Sequence, residues 1–216
     1  MENPYLVQEP QQARSQDTMQ RILDAAAQIL ETKNFEMLTV VEVVKQANTS
    51  VGAFYGRFKD KDALLQALDE RFFLEFEQAV QEFLQPAKWD DHPLRDYIEQ
   101  LTRLILNIYS SQMGVLRSLN LKARLSNDER FRQRTLNVWE SLSPRFVDTL
   151  LLHREEITHP DPSLAAQLGF QMMFYTLREI LLWDSFHEKN PYDDEQLVRE
   201  LSRAYLAYLG VKERAK

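Results

Sequence analysis

The 216-residue chain contains no cysteine. That excludes disulfides, a thiolate nucleophile and cysteine-ligated zinc, and it leaves packing to stabilise the fold. Glycine is scarce as well: Gly52, Gly56, Gly114, Gly169 and Gly210 are the five. So few argue against a turn-rich β protein and against glycine-loop nucleotide sites. No run approaches the ~20 apolar residues of a membrane helix. The nearest, Leu177 to Trp183, is interrupted by Arg178 and Glu179. Met1 to Gln12 carries Pro4 and Pro10 among polar residues and lacks the apolar core of a signal peptide. The expectation is a cytoplasmic protein without membrane insertion. No serine elbow, phosphate loop or HExxH pattern occurs.

What the chain does contain is helical periodicity. The hydrophobic fraction, 44%, is enough to form a core. Most of the prolines fall between apolar-periodic stretches, where helices stop. Ile22, Ala26, Ile29 and Leu30 share one face of a first helix over Ser15 to Lys33. Thr39, with Glu42 three residues on, forms a capping box for a second helix whose apolar face is Val40, Val43, Val44 and Ala47. A short third helix covers Ser50 to Phe58. Asp60 caps a fourth, which carries Leu64, Leu65, Leu68, Phe72, Phe76, Val80 and Phe83 to Gln85. Asp91 and Pro93 then open a helix to Ser111, and Val115 to Arg124 forms a short one. Ser126 and Glu129 cap a helix to His153, which Pro144 kinks. Asp161-Pro162 starts another to His187, and Asp193 with Gln196 opens the last, to Leu209. The reading is all-α, with about nine helices.

The stretch from Thr39 to Lys61 is the informative one. A helix, a polar turn at Asn48 and a second short helix make a helix-turn-helix. Asparagine suits that turn because it tolerates the left-handed conformation. Phe54 and Phe58, four residues apart, anchor one side in the core. The other side offers Ser50, Val51, Ala53, Tyr55 and Arg57. Gly52 and Ala53 are small and permit close backbone approach. In DNA readers of this kind the second helix lies in the major groove with its N-terminal residues at base edges, and short side chains there suit contact with thymine methyls. The net charge of −7 opposes nucleic acid for the molecule as a whole. Locally, Lys45, Arg57, Lys59 and Lys61 face only Glu42 and Asp60, four cations against two acids. Charge therefore permits DNA binding without demanding it. A helix-turn-helix also arises from plain packing of short helices, but Tyr55, Arg57 and Lys61 have no obvious core role.

Through Ala47, Ser50, Gly52, Phe54, Tyr55, Phe58 and Lys61, at the spacing A-x-x-S-x-G-x-[LF]-Y-x-x-F-x-x-K, and through Thr39 at the head of the second helix, Asp17 to Leu68 resembles the TetR family of bacterial repressors. The resemblance implies a flexible tail at 1–14, an N-terminal three-helix DNA-binding domain at 15–61, and a larger helical ligand-binding and dimerisation domain at 62–216. It implies phosphate contacts from Thr39, Tyr55 and Lys61, and a base-facing set of Ser50, Val51, Gly52, Ala53 and Arg57. Lys61 is also well placed physically, in the first turn of a helix, where outward N–H groups favour anions. Two positions depart from the family: Asn48 stands where glycine is usual, and Gly56 where a larger, often aromatic, residue is common. Gly56 loosens its helix end. The implied partners are double-stranded DNA with a near-palindromic operator, a second copy of the chain, and a small, largely apolar effector that releases the repressor. No cofactor, metal or catalytic residue is implied.

The last two predicted helices are apolar on more than one face, through Leu168, Phe170, Met172, Met173, Phe174, Leu177, Ile180, Leu181 and Trp183, then Leu197, Leu201, Tyr205, Leu206 and Tyr208. Burial on several sides follows, and two such helices from each of two subunits satisfy it as a four-helix bundle. The ligand candidates are Leu101, Ile105, Tyr109, Met113, Leu116, Trp139, Met173 and Phe174, with Arg117 and Asn120 as orienting polar groups. Phe83, Leu119, Phe131 and Phe146 are further lining candidates. Arg124 and Arg178 read more simply as surface ion pairs, Arg178 with Glu179 beside it and Asp184 nearby.

Two other classes compete. In an all-α enzyme, His153, His159 and Asp161 would be metal ligands, but they straddle a helix end without i, i+4 spacing, so capping or surface roles suit them better. A DNA-binding or scaffolding protein with no ligand also fits the residues.

Overall fold

The structure is a computed structural model that describes residues 9–125, 129, 133, 143–183 and 191–212. Among them the regular structure is entirely helical, as the periodicity requires. The chain forms two compact units, Met1–Leu74 with Gly114–Leu119, and Glu75–Met113 with Asn120–Lys216.

The first unit holds α1 (Glu9–Thr32), a 3-10 turn at Phe35–Met37, α2 (Val40–Gln46), α3 (Val51–Tyr55) and the start of α4 (Lys61–Phe83). Helix α1 begins at Glu9 rather than Ser15 because its upstream turns are mostly polar and give no periodic signal. Ile22, Leu23, Ala26 and Leu30 form its buried face, against Val43 and Val44 of α2, Phe54 of α3 and Leu64, Leu65 and Leu68 of α4 in the same core. The predicted capping box is present: Thr39 Oγ1 accepts from Glu42 N at 3.3 Å, and Glu42 Oε2 accepts from Thr39 N at 3.2 Å. Asp60 Oδ1 accepts from Ala63 N at 2.8 Å, which caps α4. The first residues of α6 (Met113–Leu125) belong here too. A Cβ on Gly114 would stand 2.3 Å from the backbone of Leu30, so only glycine allows α6 this close to α1. The Gly114 N–H donates to Glu31 Oε1 at 3.1 Å.

The second unit is built on α5 (Leu94–Ser111), α8 (Pro162–Trp183) and α9 (Asp194–Leu209), which pack on one another. Residues 143–150 form α7 and run into a 3-10 helix at Leu151–Glu156. Helix α5 buries Leu94, Tyr97, Ile98, Leu101, Thr102, Ile105, Leu106 and Tyr109 along one face. Its start differs from expectation: Pro93 provides no side-chain cap, and the Leu94 N–H donates to Glu156 Oε1 at 2.9 Å. A partner so remote in sequence leaves no local signature. The expected helix starts at Asp161 and Asp193 are in place, with Asp161 Oδ1 accepting from Leu164 N at 3.0 Å and Asp193 Oδ1 accepting from Gln196 N at 2.8 Å. Helix α9 ends at Gly210, whose φ of 72° is left-handed, and Thr158 and His159 donate their N–H groups to Leu209 O at 3.1 Å each.

Two close contacts fix α9. The Tyr205 ring lies over Gly169, where a Cβ would come within 2.1 Å, and its hydroxyl donates to Ala166 O. Ser202 Oγ bonds Thr102 Oγ1 at 3.0 Å, so this buried polar pair is satisfied internally. Phe83, Trp89, Tyr97 and Phe146 interlock with ring centroids 4.9 to 6.0 Å apart. Phe83 and Phe146, candidate ligand-lining residues, are core members here. Ser126, Phe131 and Trp139 lie outside the described residues, as does the predicted end of α8 at His187.

Candidate nucleic-acid interface

Helix α2 has seven residues and α3 only five, too few to be stable alone. Their positions come from polar contacts with the rest of the first unit. Asn48 takes the left-handed conformation expected of it, with φ 47°. Arg21 of α1 holds this turn, donating from Nη1 to Ala47 O at 2.9 Å and Asn48 O at 3.1 Å. Ser50 caps α3, its Oγ accepting from Ala53 N at 3.0 Å. Phe54, fully buried, and Phe58, nearly so, fasten the inner side of α3, with ring centroids 5.3 Å apart.

The outer side is left bare. Ser50, Val51, Gly52, Tyr55 and Gly56 are exposed, Ala53 is partly buried, and Thr39 is exposed at the head of α2. Val51 and Tyr55 keep 43% and 56% of their surface in solvent. A Cβ on Gly52 would meet nothing closer than Ser50 Oγ at 3.8 Å, and its φ is not positive. Nothing in the chain requires glycine there, although glycine costs a helix about 1 kcal/mol relative to alanine. Lys45 and Lys59 are exposed on the same motif.

The two other cations assigned to contacts are engaged within the chain. Arg57 donates to Ala53 O at 2.8 Å and to Ser15 O and Oγ at 3.2 and 3.1 Å, tying α3 to α1. Lys61 Nζ donates to Leu38 O at 2.9 Å, Glu36 O at 3.2 Å and Phe35 O at 3.4 Å, over the Phe35 ring. An ammonium has three donors, and these three carbonyls match them. Glu42 serves the cap and also bonds Lys33, and these contacts, Lys33 first, hold its carboxyl below the usual carboxylate range. Sequence reasoning missed Arg21 because its partners are backbone carbonyls far along the chain, which no spacing rule reveals.

The ligand candidates divide. Leu101, Ile105, Tyr109, Met113, Asn120, Met173 and Phe174 belong to the second unit, Leu116 and Arg117 to the first, and Trp139 lies outside the described residues. Tyr109 of α5 meets Phe174 of α8 edge-on at 5.8 Å between centroids. Arg178, one turn further along α8, stacks at 4.7 Å on Tyr175. It forms no ion pair with Glu179; instead its Nε is buried without a hydrogen-bond partner. Of the alternative metal set, His159 Nδ1 accepts from Asp161 N at 3.1 Å at the start of α8, and among the described residues no cluster of His, Asp and Glu suits a metal ion. No helix among them is long and apolar enough to cross a membrane.

Residues 22–68 match the family of bacterial regulatory proteins, tetR family. The A-factor receptor protein of Streptomyces griseus is 35% identical over 69 residues, 31% of this chain but 25% of that protein, so the chain aligns with only about a quarter of that relative. The nucleoid occlusion factor SlmA of Marinomonas sp. (strain MWYL1) is 26% identical over 63% of this chain and 68% of its own length. The fold is shared with the transcriptional regulator FadR of Bacillus subtilis, solved in complex with stearoyl-CoA, at a TM-score of 0.62 and 22% identity over 91% of this chain and 99% of that one. The segment from Thr39 to Lys61 described above lies within the stretch that matches this tetR family of bacterial regulatory proteins.

Proposed function

We propose that the chain is a transcription regulator that binds DNA as a homodimer and is released from a near-palindromic operator by a small, largely apolar effector. The observation that carries this reading is the bare outer side of α3: Ser50, Val51, Gly52, Ala53 and Tyr55 form a small-residue ridge that the rest of the chain leaves uncovered. A ridge of this kind fits the major groove, with Thr39 and Tyr55 reaching phosphates. Arg57 and Lys61 act by holding α3 and the head of α2 in register rather than as free contacts, because their donors are engaged.

Dimerisation is supported by α8. Leu164, Leu168, Met172 and Tyr175, at intervals of four, four and three, form an exposed apolar stripe along one face of that helix. Leaving such a stripe in water is unfavourable, and a second copy of α8 and α9 covers it. The effector reading rests on the apolar faces of α5 and α8 at Ile105, Tyr109, Met173 and Phe174, and on the stearoyl-CoA bound by the FadR relative in fold. Helix α4 runs through both units, so a change of the second unit on effector binding reaches the first along a continuous helix. Such an effector acts only by binding the two states unequally.

The test is selection of bound duplexes from a random pool at near-physiological salt. One enriched near-palindrome, with half-sites about one helical turn (~34 Å) apart, is the expected result; a folded, dimeric protein that enriches nothing refutes the DNA-reading role. The likeness to the nucleoid occlusion factor SlmA favours a second reading, a factor that acts in nucleoid occlusion rather than as an effector-released regulator. A small molecule that raises the melting temperature and lowers operator affinity decides against that reading.

A further inference from the structure

Helix α3, the element proposed to meet DNA, has only five residues, and α1 holds it at both ends. At its far end Arg57 donates to Ser15 O and Oγ at 3.2 and 3.1 Å. At its near end stands the turn at Asn48, whose φ of 47° is left-handed. Even asparagine adopts that conformation at some cost, and a residue keeps it only where its surroundings hold it there. The turn also follows the C-terminus of α2, where carbonyls lack intrahelical partners and carry partial negative charge. Arg21 meets both demands. Its Nη1 donates to Ala47 O at 2.9 Å and to Asn48 O at 3.1 Å. Its Nη2 donates to Thr18 Oγ1 at 3.3 Å, and its Nε to Asp17 Oδ2 at 3.0 Å.

These bonds set Arg21 apart from a phosphate contact. Its charge is paired with that of Asp17, and each of its three side-chain nitrogens already donates within the chain. Nor is it a main support of the fold. Its side chain is 41% exposed, so the pair with Asp17 adds little stability, and the first unit rests on the apolar core shared by α1, α2, α3 and α4. What the guanidinium fixes is direction. With the Ala47 and Asn48 carbonyls held, the chain enters α3 at one angle, and Ser50, Val51 and Gly52 follow it. Resting on the DNA reading above, we infer that Arg21 is a positioning residue for the duplex contact: it touches no nucleotide, and it raises affinity by keeping the turn, and with it the N-terminal end of α3, in the arrangement that fits the groove. Without this clamp only a fraction of the free protein holds α3 in place, and affinity falls by that fraction.

The experiment uses the full-length protein and the duplex enriched in the selection above, well below the melting temperature. Arg21→Lys keeps the charge but replaces the planar fork by a single nitrogen, which cannot hold both carbonyls together with Asp17 and Thr18. It is expected to bind the duplex about tenfold more weakly, the loss of about one hydrogen bond to a charged donor. Without DNA, its amide exchange is expected to rise at Thr49 and Phe54, whose N–H groups bond Val44 O and Ser50 O, and to keep the parent's rate at Ala26 and Leu30 in the core of α1. The double variant Asp17→Asn, Arg21→Met removes one charge of each sign. It is expected to bind at least as weakly as Arg21→Lys, with the parent's dependence of affinity on salt. Binding by Arg21→Lys at the parent's affinity overturns the inference, since charge alone then suffices. A salt slope lower by about one in the double variant also overturns it, because Arg21 is then a phosphate contact. Exchange that rises in α1 as much as in α3 overturns it too, and assigns Arg21 to the general stability of the unit. Each of these three results leaves the DNA reading standing. A folded parent that enriches no duplex overturns that reading and this inference with it.

Discussion

The helix-turn-helix and the α5–α8–α9 assembly solve the same problem with opposite means. Helices α2 and α3 are too short to be held by packing alone, so caps at Thr39 and Ser50 and donors from Arg21, Arg57 and Lys61 fix their backbone. Helices α5, α8 and α9 have 18, 22 and 16 residues and are fixed by apolar faces and close approach. What each region leaves exposed differs accordingly. On α3 it is small and polar, apart from Val51 and Tyr55; on α8 it is a line of Leu164, Leu168, Met172 and Tyr175. The first suits a polar, grooved partner read at close range, and the second suits a copy of itself. In a region held by polar contacts, cations that look available for ligands are the ones holding the fold, as Arg57 and Lys61 show.

Substitutions that act on one region and spare the other test this contrast. Phe54→Ala removes the fully buried ring under α3 and is expected to cost about 3–5 kcal/mol. If the contrast is right, this loss appears in denaturation as melting of the first unit ahead of the second. Gly169→Val drives a side chain into the Tyr205 ring and is expected to cost about 1–3 kcal/mol, or more if α9 detaches. Amide exchange should rise along α8 and α9, with α2 and α3 unchanged. Thr39→Ala removes one half of the capping box and is expected to cost about 1 kcal/mol, visible in the urea midpoint. The smallest effect belongs to Glu42→Gln. The Glu42 carboxyl sits below its usual value of 4.5 because Lys33 and Thr39 favour the charged form. Its contribution is therefore present above that value and is lost as pH falls through the lowered one. The variant should be slightly less stable than the parent at pH 7 and converge on it as pH falls, which flattens the acid limb of a stability-against-pH curve.

The sequence made the local features of both regions legible. The helix starts at Thr39, Asp60, Asp161 and Asp193, the left-handed turn at Asn48 and the inward pair Phe54 and Phe58 follow from rules that reach four residues or fewer along the chain, and the structure contains each of them. What escaped the sequence depends on distant partners. The cap of α5 comes from Glu156, the clamp on Asn48 from Arg21, and the carbonyls bound by Lys61 lie more than twenty residues upstream. Arg178 read as an ion pair because Glu179 adjoins it; on a helix, adjacent residues point apart, and the half-buried guanidinium stacks on Tyr175 instead. Helix α1 reaches Glu9 through turns whose Ala13, between Gln12 and Arg14, marks no apolar period.

The central claim is that the bare side of α3 is shaped for close approach by a duplex. Gly52→Leu tests it most directly, because the space around that Cβ is open within the chain. The measurement is equilibrium binding of the selected duplex by parent and variant, with the melting temperature of each protein alongside. The account predicts a melting temperature unchanged or slightly raised, since leucine is the better helix former, together with a loss of affinity of about tenfold or more, the cost of one spoiled base contact. A variant that binds the duplex as tightly as the parent would contradict the account, since a leucine at the centre of the proposed contact would then meet nothing.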